Sequence, residues 1–512
     1  MEKLNIVGIE AKSSGLHVYS KHADNPRTGL PRLLTPLDQL GHNCKIYCEE
    51  LPDSRVDWDI VAEAHIVMIS SITSTAPRAY DLARRVREVN PRATILGGGP
   101  HFTFEYQEAL ENGIDFVFLH WADISFFEWL DWYQSLLNPC EISAVDLEAL
   151  HGIRGLAFMI ANHPHKTKRP VEVDPDTWPT PDFRLVQGYK PKFIVLITSE
   201  GCDHNCEFCS IWAMYGAKYR ARSTDKVIED IRFYRELYGN IPIFVGDDNM
   251  AADTLNLKRE IVVSGEDRLR NICQGIIDAG LHGSYSCQVR LALGDHPELL
   301  DLMAQAGFDR ACIGYESVEP ENFKATDGKL DFDRMEEQTA AFHRHGIAIH
   351  AMWVLGFAAD TVDTVKKTLK LCMKWKIETN QFMILVPIPG SPLRKRLLKQ
   401  GRVLHNDWEK YDGRHVVFEP ELIGARELQV AVVLDAMPKI YNLFQTFRIY
   451  LDGNMRTLGR CLSHRAPHPR IEFKSHLGTL AMRLVGFNTV RRVKKDTLKY
   501  LETLRRFSKS VA

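Results

Sequence analysis

The chain has 512 residues, 45% of them hydrophobic and 25% charged, enough for two to four folded domains. No apolar run is long enough to cross a bilayer, and the opening MEKLNIVGIEAKSSGL lacks an apolar signal core, so a cytoplasmic location is expected. Eleven scattered cysteines argue against a disulfide framework, and the net charge of −2 hides an asymmetry: from Gln429 onward 16 Lys and Arg face five Asp and Glu, a surplus of 11 that leaves −13 on the rest.

The first 140 residues alternate strands and helices. Leu4–Glu10, Asn43–Tyr47, His65–Ser71, Thr94–Leu96 and Asp115–Leu119 read as buried strands. Pro31–Leu40 and Ala79–Val89 read as helices, the second with Leu82, Val86 and Val89 on one face. This rhythm predicts an α/β domain over residues 1–140, a doubly wound, Rossmann-like parallel sheet. Ligands of such sheets sit beyond the carboxyl ends of the strands, here the loops after Ser71 and Leu96. Pro164, Pro170, Pro175, Pro179 and Pro181 crowd the next stretch, and 141–190 is expected to be a linker.

From 191 to 420 six apolar runs each end in a polar or glycine-rich loop. Phe193–Ile197 leads to the cysteines, Pro242–Val245 to Gly246-Asp247-Asp248-Asn249, and Ser284–Val289 to Arg290. Ala311–Tyr315 leads to Glu316, Ala348–Leu355 to Gly356-Phe357, and Phe382–Val386 to Pro387-Ile388-Pro389-Gly390. Continuous apolar runs suit parallel strands covered by helices, and an open six-stranded (β/α) partial barrel is expected. Residues 421–512 read as a basic helical C-terminal region, with Leu498, Leu501 and Leu504 at helical spacing.

The loop Cys202-Asp-His-Asn-Cys206-Glu-Phe-Cys209 carries the strongest chemical signal. A 4Fe–4S cube takes four thiolates when fully ligated, so three cysteines with no fourth nearby leave one iron open to a ligand. The alternative is a zinc site, which wants a fourth Cys or His, and His204 lies inside the loop.

Cys-x3-Cys-x2-Cys, with an aromatic before its last cysteine, resembles the signature of the radical S-adenosylmethionine superfamily. The resemblance implies a 4Fe–4S cluster on Cys202, Cys206 and Cys209, whose open iron binds S-adenosylmethionine. It also implies reductive cleavage of that molecule to a 5′-deoxyadenosyl radical, fed by an electron donor of flavodoxin or ferredoxin type. Carried over by position, Phe208 packs near the adenine, and Gly246, Asp247 and Asp248 contact the methionyl amino group. Glu316 faces ribose or carboxylate groups and Arg290 offers a cation to the carboxylate. Gly356, Phe357 and Pro387 match the loops on the adenine side.

The first domain resembles the cobalamin-binding domain often found ahead of such barrels, on SSITSTAPRAY (Ser70–Tyr80) and ILGGGPHFTF (Ile95–Phe104). Ser70, Ser71, Thr73, Gly97, Gly98, Gly99 and His101 are the implied cobalamin contacts. The chain has His120-Trp121-Ala122-Asp123 where these domains usually carry Gly-Glu-Gly-Glu, and it lacks Asp-x-His-x-x-Gly.

The Pro387–Leu393 stretch, with Gly401-Arg402, Trp408 and Tyr411–Gly413 after it, resembles the branch that modifies hopanoids and closes tetrapyrrole rings. The implied function is modification of an unactivated carbon in a hydrophobic small molecule or lipid, by cobalamin-dependent C-methylation. The alternatives are radical carbon–carbon coupling or cyclisation, and a non-catalytic iron–sulfur redox protein. Arg491, Arg492, Lys494, Lys495, Lys499, Arg505 and Arg506 interleave with leucines, so a peripheral membrane contact through the C-terminal helices is expected. Nothing resembles an RNA-binding sheet, and no nucleic-acid partner is expected.

Overall fold

The computed structural model describes residues 3–13, 25–136, 144–216, 218–255, 261–325 and 331–510. Two compact units meet in sequence between Pro191 and Lys192.

In the first unit the apolar runs become β1 (Asn5–Glu10), β2 (Asn43–Cys48), β3 (Ile66–Ser70), β4 (Thr94–Gly98) and β5 (Phe116–Phe118). They pair in parallel in the order β2-β1-β3-β4-β5. The helix Ala76–Val89 buries Ala79, Leu82, Ala83 and Val86, the 3.6-residue stripe that lets it cover a sheet. Because β1 lies between β2 and β3, the chain reverses its winding there, and the loops beyond β1, β3 and β4 gather at one edge.

The expectation of a linker over 141–190 is corrected. Beyond a helix at Ala144–Gly152, β6 (Leu156–Ile160) and β7 (His163–Lys166) extend the same sheet as an antiparallel hairpin. Its turn is Ala161-Asn162, with φ of 47° and 65°, the left-handed pair that tight hairpins favour. The pattern hid the hairpin because β7 reads His-Pro-His-Lys, with little apolar content to mark a strand.

The second unit begins with β8 (Ile194–Leu196), followed by the short β9 (Ser199–Glu200) and β10 (Arg220–Ala221), then β11 (Ile243–Val245). A small pair, β12 (Thr254–Leu255) and β13 (Ile261–Val263), precedes β14 (Tyr285–Val289), β15 (Phe308–Glu316), β16 (Ala348–Leu355) and β17 (Thr379–Ile384). β8, β11, β14, β15, β16 and β17 form one sheet in chain order with every pairing parallel. The expected six-stranded open barrel is therefore present. Along β14, β15 and β17 fully buried residues alternate with partly accessible ones, so one face lies under the helices and the other lines a lumen.

The C-terminal helices belong to this same unit. A π-helical stretch, Val430–Ala436, leads to helices at Leu443–Leu462 and Pro469–Ser510. The last helix turns Val493, Thr497, Tyr500, Leu501 and Leu504 inward. Arg491, Arg492, Lys494, Lys495 and Lys499 stay exposed, and the side chain of Arg506 lies outside the described residues. Arg483 is fully buried, donating to the carbonyls of Glu378 and Ile440. Among the described residues no helix is long and apolar enough to cross a membrane.

Candidate active site

The cysteine loop leaves the barrel at the carboxyl end of β8, and its base is held from three sides. β9 pairs with β10, and Glu200 accepts from Arg220 at 2.8 Å. Gly201 has φ of 94°, and a Cβ there would stand 2.3 Å from the Lys218 carbonyl oxygen, so only glycine lets the strands touch. The third hold is Asp247, whose carboxylate accepts from the backbone N–H of Thr198 at 2.6 Å and of Ser199 at 3.0 Å, with Arg268 at 3.9 Å. Asp247 is buried and engaged by the chain itself, so the expected contact with a methionyl amino group is corrected to a clasp on the loop.

Within the loop the Cys209 N–H donates to the Cys206 carbonyl at 3.1 Å. The Trp212 indole N–H donates to the Cys202 carbonyl at 3.0 Å. Asp203 accepts from the Asn249 amide and the Asp253 N–H, both at 3.3 Å, which ties the loop to the segment after β11. Burial pushes the Cys202 thiol up to about 12 and the Cys209 thiol up to about 11, with Asp248 adding to both. No three His, Cys, Asp or Glu side chains among the described residues close into a shell for a single metal ion. A cube needs no such convergence, because each cysteine binds a different iron.

Two carboxyls face this loop. Asp248 sits deep in the unit while its side chain meets open space, and burial raises it to about 7. Glu316 ends β15 with φ of 58°, a left-handed conformation that an ordinary residue adopts only at a cost of about 1–3 kcal/mol. Its carboxylate folds back over Gly314, where a Cβ would stand 2.4 Å from Oε1. Burial lifts Glu316 to about 7, and the charge of Arg290 opposes that rise. Cys209 feels both Asp248 and Glu316, so the structure brings the loop, Asp248, Glu316 and Arg290 into one electrostatic neighbourhood.

On the other flank Phe208 meets Phe357 edge-on, ring centroids 5.6 Å apart, beside Leu385, Leu393 and Phe418. Gly356 has φ of 112°, and the Gly356 and Phe357 N–H groups both donate to Asp360. A pocket of about 300 Å³ opens here, with Glu207 and Arg396 at its rim. The Arg394 guanidinium donates to the Pro387 carbonyl, which anchors the loop after β17.

Sequence reading singled out neither Gln288 nor His350. Gln288, Cys312 and His350 stand level on β14, β15 and β16, on the accessible face. The His350 ring is bracketed by Thr379 at 2.9 Å and Gln381 at 3.2 Å, and burial pushes it down to about 4, so it is neutral near pH 7. The signal was available as polar residues at every second position of apolar strands. Cys287, one register step away, faces the helices and is fully buried.

In the first unit the loop after β3 folds on itself: the Ser71 hydroxyl donates to the Ile72 carbonyl at 2.9 Å and lies 3.0 Å from the Thr75 hydroxyl. Gly99 has φ of 101°, and a Cβ there would meet the Ser71 carbonyl oxygen at 2.5 Å. A Cβ on Gly98 would meet nothing within 4 Å, so bare backbone faces open space between the accessible Ser70 and Thr73. Three of the expected contacts are corrected. Ser71 is fully buried, with its hydroxyl bonded inside its own loop. Gly97 faces Ile114 and Phe102 inside the core, and His101 is fully buried with its Nε2 3.0 Å from the Tyr80 hydroxyl. Trp121 is also buried, its indole N–H donating to the Val171 carbonyl. Glu10, buried at the carboxyl end of β1 beside Ser70 in register, was not anticipated.

Residues 196–386 match the radical SAM superfamily, and residues 23–128 match the B12 binding domain. The chain is 25% identical over 385 residues to bacteriochlorophyllide d C-12(1)-methyltransferase of Chlorobaculum tepidum, covering 74% of each protein. It is 26% identical over 238 residues to hopanoid C-2 methylase of Rhodopseudomonas palustris, covering 46% of this chain and 43% of that one. The solved structure of the cobalamin-dependent S-adenosylmethionine radical enzyme OxsB, with aqua-cobalamin and S-adenosylmethionine bound, superposes with a TM-score of 0.63. That likeness, at 12% identity over 99% of this chain and 84% of the other, is one of fold.

Proposed function

The chain belongs to the radical SAM superfamily and carries a B12 binding domain ahead of its barrel, and from that premise we propose that it methylates an unactivated carbon of a hydrophobic small molecule of lipid or tetrapyrrole type. The reading rests above all on one observation: three cysteines in a clasped loop at the carboxyl end of the first barrel strand. When bound, the cluster and S-adenosylmethionine supply a 5′-deoxyadenosyl radical and cobalamin carries the methyl group.

Each part of the chain has a task. Cys202, Cys206 and Cys209 hold the cluster, and Asp247 with Arg268 keeps their loop in place. Asp248 and Glu316 accept hydrogen bonds from the amino and ribose groups of S-adenosylmethionine, and Arg290 pairs with its carboxylate. Phe208 and Phe357 wall the adenine, with Gly356 and Pro387 shaping the adjoining loops. The polar row Gln288, Cys312 and His350 orients the substrate from the lumen wall. Ser70, Thr73, Gly98 and Gly99 hold cobalamin, the last two through close backbone approach. The electron comes from a small flavodoxin- or ferredoxin-type donor.

The test is anaerobic reconstitution with iron and sulfide, followed by reductant and S-adenosylmethionine. 5′-Deoxyadenosine should form, and protein loaded with cobalamin should show its visible absorption bands. An intact cluster that yields no 5′-deoxyadenosine would remove the enzyme reading; cleavage without cobalamin retention would remove methyl transfer.

A further inference from the structure

The helix Leu443–Leu462 is amphipathic with a second apolar stripe facing the wrong way. Thr446, Ile449, Gly453 and Thr457 form its buried face. On the opposite side Phe444, Phe447, Leu451, Met455, Leu458 and Leu462 recur every three or four residues, and all are 46–76% exposed. Phe473 and Leu477, on the helix that packs beside it, extend the patch. Scattered exposed leucines need no explanation, but a continuous stripe along a helix about 30 Å long does.

Charge around the stripe has one sign. Between Leu443 and Leu477 the acids are Asp452, paired with Lys376 at 2.6 Å and Arg456 at 3.5 Å, and Glu472, paired with Arg460 at 3.0 Å. Arg448, Arg465, Arg470 and Lys474 are exposed at the flanks. Two copies of the chain meeting stripe to stripe would bring these cations together with no free acid to answer them. An anionic lipid surface answers both features, taking rings and alkyl chains into its acyl boundary and cations at its headgroups.

We propose that the helix Leu443–Leu462 lies flat on an anionic membrane surface, with the apolar stripe immersed and the flanking Arg and Lys on the phosphates. This moves the membrane contact away from the basic terminal helix, whose leucines at 501 and 504 are turned into the protein. The inference stands on the surface alone and holds whatever reaction the barrel performs.

The experiment is co-sedimentation of the full chain with phosphatidylcholine vesicles, with and without one-third phosphatidylglycerol, alongside light scattering across a protein concentration series. The protein should bind the anionic vesicles roughly tenfold more tightly than the neutral ones and release in high salt. The double substitution Phe447→Asp with Leu451→Asp should abolish binding to both. Arg465→Glu with Lys474→Glu should remove only the anionic preference, a second readout that leaves the stripe intact. Absence of vesicle binding by the unaltered chain overturns the proposal, as does binding that survives Phe447→Asp with Leu451→Asp. A concentration-dependent dimer dissolved by that same pair would assign the stripe to a second copy instead.

Discussion

The two units place their candidate ligand loops at the same location, beyond the carboxyl ends of parallel strands, but build them from different material. In the first unit the cradle is mostly backbone. Gly98 offers a bare edge, Gly99 allows contact with the Ser71 carbonyl, and the hydroxyl groups nearby bond to their own loop. In the barrel the site is made of ionisable side chains: three thiols, two carboxyls lifted to about 7, and an arginine. A backbone cradle recognises a large ligand by shape. A ring of ionisable groups sets charge and protonation, as a cluster with a cationic sulfonium partner requires. The comparison predicts that the two units fail separately and in different ways.

The largest effect should come from Cys206→Ala, which should abolish both the iron–sulfur absorption and 5′-deoxyadenosine formation while leaving cobalamin retention unchanged. Loss of cobalamin in this variant would show that the two units do not fail separately. Next is Asp247→Ala. It leaves Arg268 buried without its carboxylate and the Thr198 and Ser199 N–H groups without an acceptor, a loss of about 3–5 kcal/mol for a broken buried pair. Thermal unfolding should fall accordingly, and cluster content with it, with the thiols themselves untouched.

In the first unit Gly99→Val should displace the Ser71 carbonyl and abolish cobalamin retention, with 5′-deoxyadenosine formation preserved. Back in the barrel, Glu316→Gln should weaken S-adenosylmethionine binding about tenfold, ~1.4 kcal/mol, without loss of the cluster. Its sign with pH follows from the raised carboxyl. Wild-type affinity should climb as Glu316 ionises near pH 7, and the variant should lose that slope. The smallest effect belongs to Gly98→Ala, which has room for its methyl and should leave folding unaltered while lowering cobalamin retention slightly. A Gly98→Ala chain that lost the cofactor as fully as Gly99→Val would show that the cradle is tighter than its open edge suggests.

Most of the architecture was legible beforehand. Apolar runs of three to eight residues, each followed by polar loops, identified all six barrel strands and the five parallel strands of the first sheet. The hairpin of β6 and β7 was not legible, because His163-Pro164-His165-Lys166 lacks the apolar content that marks a strand and joins the sheet through backbone bonds. Among the site residues, Phe208 lies within the cysteine loop and Asp248, Arg290 and Glu316 share its electrostatic neighbourhood, whereas Asp247, Gly97, Ser71 and His101 are buried against the protein itself. Neighbours in sequence such as Asp247 and Asp248, or Gly97 and Gly98, are chemically alike, and only the packed fold separates the buried one from the open one.

The kind of chemistry follows from the chain's order alone, because the three cysteines lie within eight residues and their spacing survives any arrangement of the rest. The sequence also sets the strand order of the barrel, since consecutive parallel strands with helical crossovers pair with their neighbours. Which polar groups reach the lumen depends on packing, which brings Gln288, Cys312 and His350 level from strands far apart in sequence. The fold alone showed that Phe444, Phe447, Leu451, Met455, Leu458 and Leu462 point away from the protein. An apolar helical stripe reads the same whether it faces a core or a solvent, and the choice is made by the face that finds a partner when the chain packs.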